Sequence, residues 1–145
     1  MIILELAAIL SCTFFAGAAI YINIVEHPAR LECGTELAAS VFGPSYRRAA
    51  RLQATLAIMA TFFGAILAVT SNNPLWYFGA ALIFSVVPFT FIVIMPTNLK
   101  LLAPTRDRSA EETEALLNKW GALHAVRSLV SCIAAVIYVY IGLMG

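Results

Sequence analysis

The sequence predicts an all-α fold, an integral membrane bundle of four transmembrane helices with a longer fourth helix that extends on the cytoplasmic side. Of the 145 residues, 61% are hydrophobic and 12% are charged, against roughly 45–50% and 25% in soluble domains. Polar side chains are therefore too few to cover a surface that faces water. Four uniformly apolar stretches are each long enough to cross a bilayer as a helix, which takes roughly 20 residues. They lack the period-two alternation of transmembrane strands, which excludes a barrel.

The expected spans cover residues about 2–25, 52–71, 75–95 and 122–144 of a single membrane domain over residues 1–145. The first span has no basic segment before it, and its only early charge is Glu5. It is therefore expected to be retained rather than cleaved as a signal peptide. Pro28 is expected to kink the end of the first helix. The sequence Phe-Gly-Pro-Ser at 42–45 predicts a break before the second helix.

The connection between the second and third spans is short. Spans two and three are joined by residues 71–74, Ser-Asn-Asn-Pro, a turn-forming cluster that connects antiparallel helices tightly. Pro88 predicts a kink in the third helix. Ser109 and Glu112 have the spacing of a capping box, so the fourth helix is expected to begin near residue 110, outside the membrane. Gly121 is the point at which that helix can bend.

The charges predict the topology. All nine Lys and Arg residues lie in or beside the two long connections, about 26–51 and 96–121. By the positive-inside rule these connections are cytoplasmic, and both termini lie on the other side of a cytoplasmic (inner) membrane. The net charge of +1 argues against a nucleic-acid partner. Three cysteines without C-x-x-C spacing predict neither a disulfide framework nor a zinc ribbon.

Polar and ionisable side chains at the membrane edge are costly, so they mark a candidate site. They are Asn23, His27 and Arg30 on helix one, Asn98 on helix three, and Trp120, His124, Arg127 and Ser131 on helix four. The last four recur at i, i+4, i+7 and i+11, which places them on one stripe of a helix. Because lipid offers no hydrogen-bond partners, these groups are expected to face inward and to meet.

Four segments carry a likeness to a known family: residues 16–21 (Ala-Gly-Ala-Ala-Ile-Tyr), 26–30 (Glu-His-Pro-Ala-Arg), 96–99 (Pro-Thr-Asn-Leu) and Trp120-x3-His124-x2-Arg127. Together they resemble the anthrone oxygenase-like family of small four-helix membrane proteins, over essentially the whole chain. The resemblance implies that O2 oxidises an anthrone, a tricyclic phenolic ketone, to an anthraquinone. The chain lacks a Rossmann glycine fingerprint and haem or iron–sulfur spacing, which fits a reaction without an organic cofactor.

Such a reaction needs a base, an oxyanion site and a dry cavity, because an anthrone is acidic at the carbon opposite its ketone. The resemblance leaves open whether His27 or His124 is the general base. Arg127, Arg30 and Asn98 would stabilise the oxyanion.

The expected substrate is a small hydrophobic molecule that binds against a flat aromatic wall of Trp120 and Tyr21, with Asn23 as a further binding residue. O2 is the co-substrate and the lipid bilayer is the solvent. Small residues such as Ala57, Ala60 and Gly64 in the second span also allow close helix contact, which is compatible with a homo-oligomer.

Two other classes of function stay open. His27 and His124 with Glu26, and conceivably Cys33, offer ligands for a transition metal, or the two histidines alone could hold a haem. Alternatively, the same cytoplasmic pocket could serve a non-enzymatic carrier or assembly partner. The polar groups are concentrated at one end of the spans, which favours a pocket closed at its far end over a channel.

Overall fold

The computed structural model describes residues 1–144, and over these residues every regular element is helical. The helices are α1 (Ile2–Glu32), α2 (Thr35–Thr70), α3 (Pro74–Leu102) and α4 (Glu111–Met144), and all four are long and apolar enough to cross a membrane. Each helix packs mainly against two others, so that α1, α2, α3 and α4 follow one another around a ring. The predicted all-α fold with four helices of membrane-spanning length is confirmed.

The helices are longer than the bilayer requires. They contain 29 to 36 residues, which at 1.5 Å per residue gives lengths of about 44 to 54 Å against about 30 Å of hydrocarbon. The turn between α2 and α3 is short, and Asn73 caps α3 by accepting a hydrogen bond of 3.0 Å from the backbone N–H of Leu75. The excess length therefore lies at the opposite end, where the basic residues are.

The prediction of a long first connection with a break at residues 42–45 is wrong. Only Cys33 and Gly34 separate α1 from α2, and Gly34 adopts φ 91°, a conformation that favours glycine. Pro44 lies inside α2. The helix tolerates this proline because its inward face continues on both sides of it, from Phe42, which is fully buried, to Gln53 and Ala57. Burial of that face offsets a local cost of about 3 kcal/mol.

Two π-helical turns interrupt the helical ladder, at Ile22–Glu26 in α1 and at Thr90–Ile94 in α3. Each ends two residues before a proline, Pro28 and Pro96 respectively. A proline ring lacks an N–H group and clashes with the carbonyl one turn earlier, and a wider turn at that point accommodates both defects. Both helices continue past the prolines at which kinks were expected: in α1 a π turn precedes Pro28, whereas in α3 Pro88 lies within regular α-helix and the π turn precedes Pro96 instead.

α4 begins where it was expected, but a different contact forms its start. Ser109 donates its backbone N–H and its hydroxyl to the Asp107 carboxylate, at 3.0 and 2.8 Å, so its side chain is not the predicted cap of Glu112. These hydrogen bonds lower the pKa of Asp107 below its ordinary value. The helix then runs through Gly121 without interruption.

The half of the molecule next to the Ser71–Asn73 turn, which we call the turn-side half, is closed by a tightly packed core. Tyr138 is fully buried, packs against Trp76 at a ring distance of 4.8 Å, and donates a hydrogen bond of 3.0 Å to the Ala60 carbonyl. Gly64 and Gly79 leave the room that the Tyr138 ring occupies. The other half, which we call the cavity-side half, encloses a cavity between the four helices.

Candidate functional site

A cavity of about 150 Å³ lies between the four helices in the cavity-side half. Its volume suits an organic molecule better than a single water, which needs only about 10–15 Å³ on this measure. The polar or charged side chains on its wall are Arg30, Ser45, Tyr46, Gln53, Thr90, Asn98, Trp120, His124 and Arg127. The rest of the wall is aliphatic or aromatic, as expected of a site for a largely apolar ligand.

Trp120 is at the centre of an aromatic cluster on this wall. Its indole stacks on His124, with ring centroids 4.8 Å apart and planes at 29°, and meets the edge of Phe42 at 5.2 Å. His27 lies on another side of the indole at 5.1 Å. The predicted stripe on α4 therefore faces inward, and Trp120 joins both histidines in one cluster.

His124 has a defined hydrogen-bond partner on one ring nitrogen. Asn23 donates its amide N–H to the Gly121 carbonyl at 3.0 Å, which turns its Oδ1 toward His124. That oxygen lies 2.6 Å from His124 Nδ1 and also accepts from the Ser128 hydroxyl at 2.6 Å. Because an amide oxygen only accepts, Nδ1 must carry the proton. Nε2 is then the nitrogen with a free lone pair in a neutral ring, and His124 lines the cavity.

Arg127 is fixed from two sides. Its Nη2 donates to Gln53 Oε1 at 2.5 Å, and its guanidinium lies 5.3 Å from the centre of the Phe15 ring. The cation–π distance is within the range of about 6 Å in which such contacts are attractive. The contact with Arg127 occupies the Gln53 oxygen, and Gln53 Nε2 and Arg127 Nε have no partner within residues 1–144.

Arg30 is held by the aromatic cluster and by an acidic partner. Its guanidinium lies 6.0 Å from the Phe42 ring centre and 5.8 Å from that of Trp120. Its Nη2 donates to Glu26 Oε1 at 2.5 Å, and the same oxygen accepts from the Ser45 hydroxyl. Glu26 is thus engaged with Arg30, so its charge is neutralised at the edge of the site.

Asn98 is fully buried on the cavity wall, yet neither its Oδ1 nor its Nδ2 has a partner among the described residues. Native proteins rarely leave buried polar atoms unsatisfied, because each one costs about 1–3 kcal/mol. Arg30 Nε and Trp120 Nε1 are in the same condition. The wall of the cavity therefore offers several donors and few acceptors, which suits a ligand that carries oxygen atoms.

The predicted site residues are brought together in part. Asn98, His124 and Arg127 line the same cavity, whereas His27 is buried beside Gly121 and lies off the wall. A Cβ atom at Gly121 would lie 2.6 Å from His27 Nε2, so only glycine permits this approach. Over residues 1–144 these four side chains make no direct hydrogen bond with one another, and both His27 nitrogens lack a hydrogen-bond partner there, so a bridge through a water or ligand stays a prediction.

Two predicted substrate-binding residues lie off the cavity wall. Tyr21 is 56% exposed on the outer surface of α1, because the neighbouring Ile22 takes the inward position on the helix. Asn23 reaches the site indirectly, through His124. Trp120 and Arg30, in contrast, lie on the wall as expected.

The alternative metal set of His27, His124 and Glu26 does not form a metal-binding cluster. Within the described part of the chain, no three His, Cys, Asp or Glu side chains converge as ligands would. Asn23 lies against one nitrogen of His124, and Arg30 and Ser45 lie against the Glu26 carboxylate. His124 Nδ1 and the Glu26 carboxylate are therefore already engaged with other groups, and the arrangement does not fit a three-ligand centre.

The sequence analysis missed Gln53 and Ser128. Gln53 is 3% exposed and is an isolated amide at the start of an apolar run, which is itself a signal of a buried polar contact. Ser128 follows His124 by one helical turn, so the i+4 rule places it on the same face. Both signals are present in the sequence. Each residue is hydrogen-bonded to a predicted site residue, Gln53 to Arg127 and Ser128 to Asn23.

Comparison with known proteins identifies the relatives of this chain. The profile of the anthrone oxygenase family matches residues 42–137, well over half of the chain. The anthrone oxygenase tpcL of Aspergillus fumigatus is 26% identical over 147 residues, covering 94% of this chain and 91% of that protein. The anthrone oxygenase AgnL2 of Paecilomyces divaricatus is 29% identical over 149 residues, covering 92% and 91%. No solved structure is significantly similar. The chain belongs to the anthrone oxygenase family.

Proposed function

We propose that this protein is a membrane-embedded oxygenase that uses O2 to oxidise a hydrophobic phenolic or anthrone-like molecule in the cavity between its helices. The observation that carries the proposal is His124, a buried histidine whose Nδ1 is held by Asn23 on the wall of a cavity rich in unpartnered donors. Family membership and the names of the two relatives support the reaction class.

In this proposal His124 is the general base. With Nδ1 protonated and held by Asn23, Nε2 removes a proton from the carbon opposite the substrate ketone. The product of that step is an enolate whose charge is delocalised onto the ketone oxygen. Asn23 and Ser128 act as positioning residues, because they fix the tautomer and the plane of the ring without contacting the substrate themselves.

The enolate oxygen is proposed to bind at the donors of Arg30, Asn98 and Arg127. Such donors act most strongly where water is excluded and where they are already oriented before the charge develops. Arg127 is held by Gln53 and Phe15, and Arg30 by Glu26 and Phe42, so neither guanidinium needs to reorganise. Trp120 supplies an aromatic wall against the ring system of the substrate.

The chemistry requires no further oxidant than O2. The enolate gives one electron to O2, and the radical pair combines to form a carbon–oxygen bond and, after protonation, a hydroperoxide. Loss of water from the hydroperoxide yields the second ketone. One anthrone and one O2 thus give one anthraquinone and one water, and the proton taken by His124 is returned. The proposal needs no bound metal or organic cofactor.

Oxygen consumption by the purified protein with an anthrone tests this function. Consumption is measured with and without a chelator, against a protein-free blank, which corrects for spontaneous oxidation. The expected result is one O2 consumed per anthraquinone formed, unaffected by the chelator. Consumption equal to that of the blank would contradict an oxygenase and favour a carrier or assembly role, whereas activity lost only with the chelator would identify a metal-dependent reaction.

We also propose that the cavity-side ends of the helices are cytoplasmic and that both termini lie outside, because the nine basic residues cluster at those ends. A cysteine introduced at Asn72 should then react with an impermeant thiol reagent in intact cells. The native Cys33, which is exposed at the other end, is the internal control and should react only in opened membranes. The reverse pattern would contradict this orientation.

A further inference from the structure

The wall of the cavity is not equally closed on all sides. On the side of α1 and α4, the lining residues Phe15, Ile22 and His124 are buried. On the side of α2 and α3, Ala54 is exposed and Phe91 is 64% exposed, although both line the cavity. The same residues therefore border the cavity and the outer surface, which places an opening between α2 and α3.

The packing of α2 and α3 explains this opening. The backbones of the two helices lie close together along Pro74–Phe89 of α3, but the backbone of α2 comes close to the π turn Thr90–Ile94 at very few positions. Opposite that turn, α2 presents the small side chains of Ala50 and Ala54. A widened turn faces residues with minimal side chains, so the helix surfaces do not close against each other at this level.

The level of the opening suits an amphipathic aromatic molecule. Ala54 lies at the start of the apolar part of α2, and the exposed Arg51 precedes it by three residues. Exposed aromatic and aliphatic side chains such as Phe91 and Ile92 lie on the facing helix. The opening is thus situated where hydrocarbon gives way to the polar boundary of the bilayer, the region that amphipathic aromatic rings prefer.

We propose that the gap between α2 and α3, bordered by Ala50, Ala54 and Phe91, is a lateral portal through which a polycyclic phenolic substrate passes from the bilayer into the cavity. This inference rests on the proposed function for the identity of the substrate. The polar edge of such a molecule would remain near Arg51 while its rings enter between the helices. Gln53, one residue before Ala54 on α2, offers its unpartnered Nε2 on the cavity wall as the first donor.

The portal predicts an effect on rates rather than on equilibrium. Enlarging Ala54 to Phe should obstruct the gap, and because Ala54 is exposed the larger side chain has space outside the core. The matched control is Ile58→Phe, one turn further along α2, where the residue is 65% exposed and does not line the cavity. Association should slow by about tenfold in Ala54→Phe and remain unchanged in Ile58→Phe, since a narrowed path limits entry and exit alike.

The readout is quenching of Trp120 fluorescence after anthraquinone is mixed with protein in lipid vesicles. Trp120 lines the cavity, and the Trp120→Phe variant defines the contribution of Trp76, the other tryptophan. The final extent of quenching should be similar in Ala54→Phe and Ile58→Phe. Equal association rates in these two variants would overturn the portal. Slower association in a protein that consumes no O2 with an anthrone would support the portal and contradict the oxygenase.

A second variant covers the case in which Ala54→Phe does not fold. In a Cys33→Ser background, Ala54→Cys can be alkylated with N-ethylmaleimide after the protein has folded, with Ile58→Cys as the control. Alkylation at position 54 should slow the quenching and alkylation at position 58 should not. Identical rates before and after alkylation at position 54 would overturn the portal.

Discussion

The two halves of this molecule treat their polar groups in opposite ways. In the turn-side half, the Tyr138 hydroxyl donates to the Ala60 carbonyl, and the Ser11 hydroxyl donates to the Ala7 carbonyl at 2.5 Å. In the cavity-side half, Asn98, Gln53 and Trp120 keep buried donors without a partner among residues 1–144. Thr61 is the exception in the turn-side half. The polar groups of the turn-side half stabilise its packing, whereas several donors on the cavity wall remain without a hydrogen-bond partner.

The difference does not come from hydrophobicity, since both halves are built from the same four apolar helices. It comes from the size of the side chains, which sets how closely neighbouring helices approach each other. Gly64 and Gly79 bring α2 and α3 close to the Tyr138 ring, as small residues do in membrane proteins. Pro28 and Pro96 are associated with π turns, and residues of both turns line the cavity. Close packing at Gly64 and Gly79 thus characterises the turn-side half, and π turns next to prolines characterise the half that holds the cavity.

Removing the base, which lies in the cavity-side half, should have the largest effect, and that effect should be on turnover rather than on stability. His124→Ala is expected to lower kcat by about 10²–10⁴-fold, the usual contribution of a general base. The Tm should change little, so that the loss of turnover is not a consequence of unfolding. Asn23→Ala, which frees the His124 tautomer but keeps the ring, should give a smaller decrease. A His124→Ala variant with unchanged oxygen consumption would assign the base to another residue, His27 first.

Filling the turn-side half should have the opposite signature, a loss of stability. A methyl group at Gly64 would overlap the Tyr138 hydroxyl and lie 2.6 Å from its Cζ, and overpacking of this kind costs about 1–3 kcal/mol. Gly64→Ala should therefore lower the Tm. Addition of Tyr138→Phe should restore part of the loss, because the overlapping hydroxyl is gone. If the double variant is no more stable than Gly64→Ala, the steric explanation is incorrect.

Changing the shape of a cation in the cavity should have an intermediate effect on turnover. Arg127→Lys keeps the charge but loses the planar fork that reaches Gln53 and faces Phe15. A decrease in kcat of about tenfold is expected, smaller than the roughly 10²–10³-fold loss for removal of one oriented donor, because Lys keeps the charge. Gln53→Glu retains an acceptor for Arg127 but removes the Nε2 donor. It therefore distinguishes the role of Gln53 in holding Arg127 from its role as a donor on the cavity wall. Full activity in Arg127→Lys would show that charge alone suffices at this position.

Much of the fold and part of the site can be predicted from the sequence, and the remainder depends on how each helix is rotated about its axis. Hydropathy predicts four helices, and the helical period predicts that Trp120 and His124 share an inward stripe. Neither predicts that Tyr21 faces outward, since a shift of one residue decides which of Tyr21 and Ile22 is inside. Pro44 is a strong local signal for a break, yet tertiary burial of Phe42 on the same helix outweighs it.

The smallest effect is expected from the single hydrogen bond that closes the turn-side half. Tyr138→Phe removes the donor to the Ala60 carbonyl but keeps the ring against Trp76. The carbonyl retains its helical hydrogen bond, so the cost should be about 0.5–1.5 kcal/mol, the net value of one such bond. The Tm should fall slightly and oxygen consumption should be unchanged, because Tyr138 does not line the cavity. A loss of turnover without a loss of stability would mean that the two halves are coupled, and that the closed core also sets the geometry of the site.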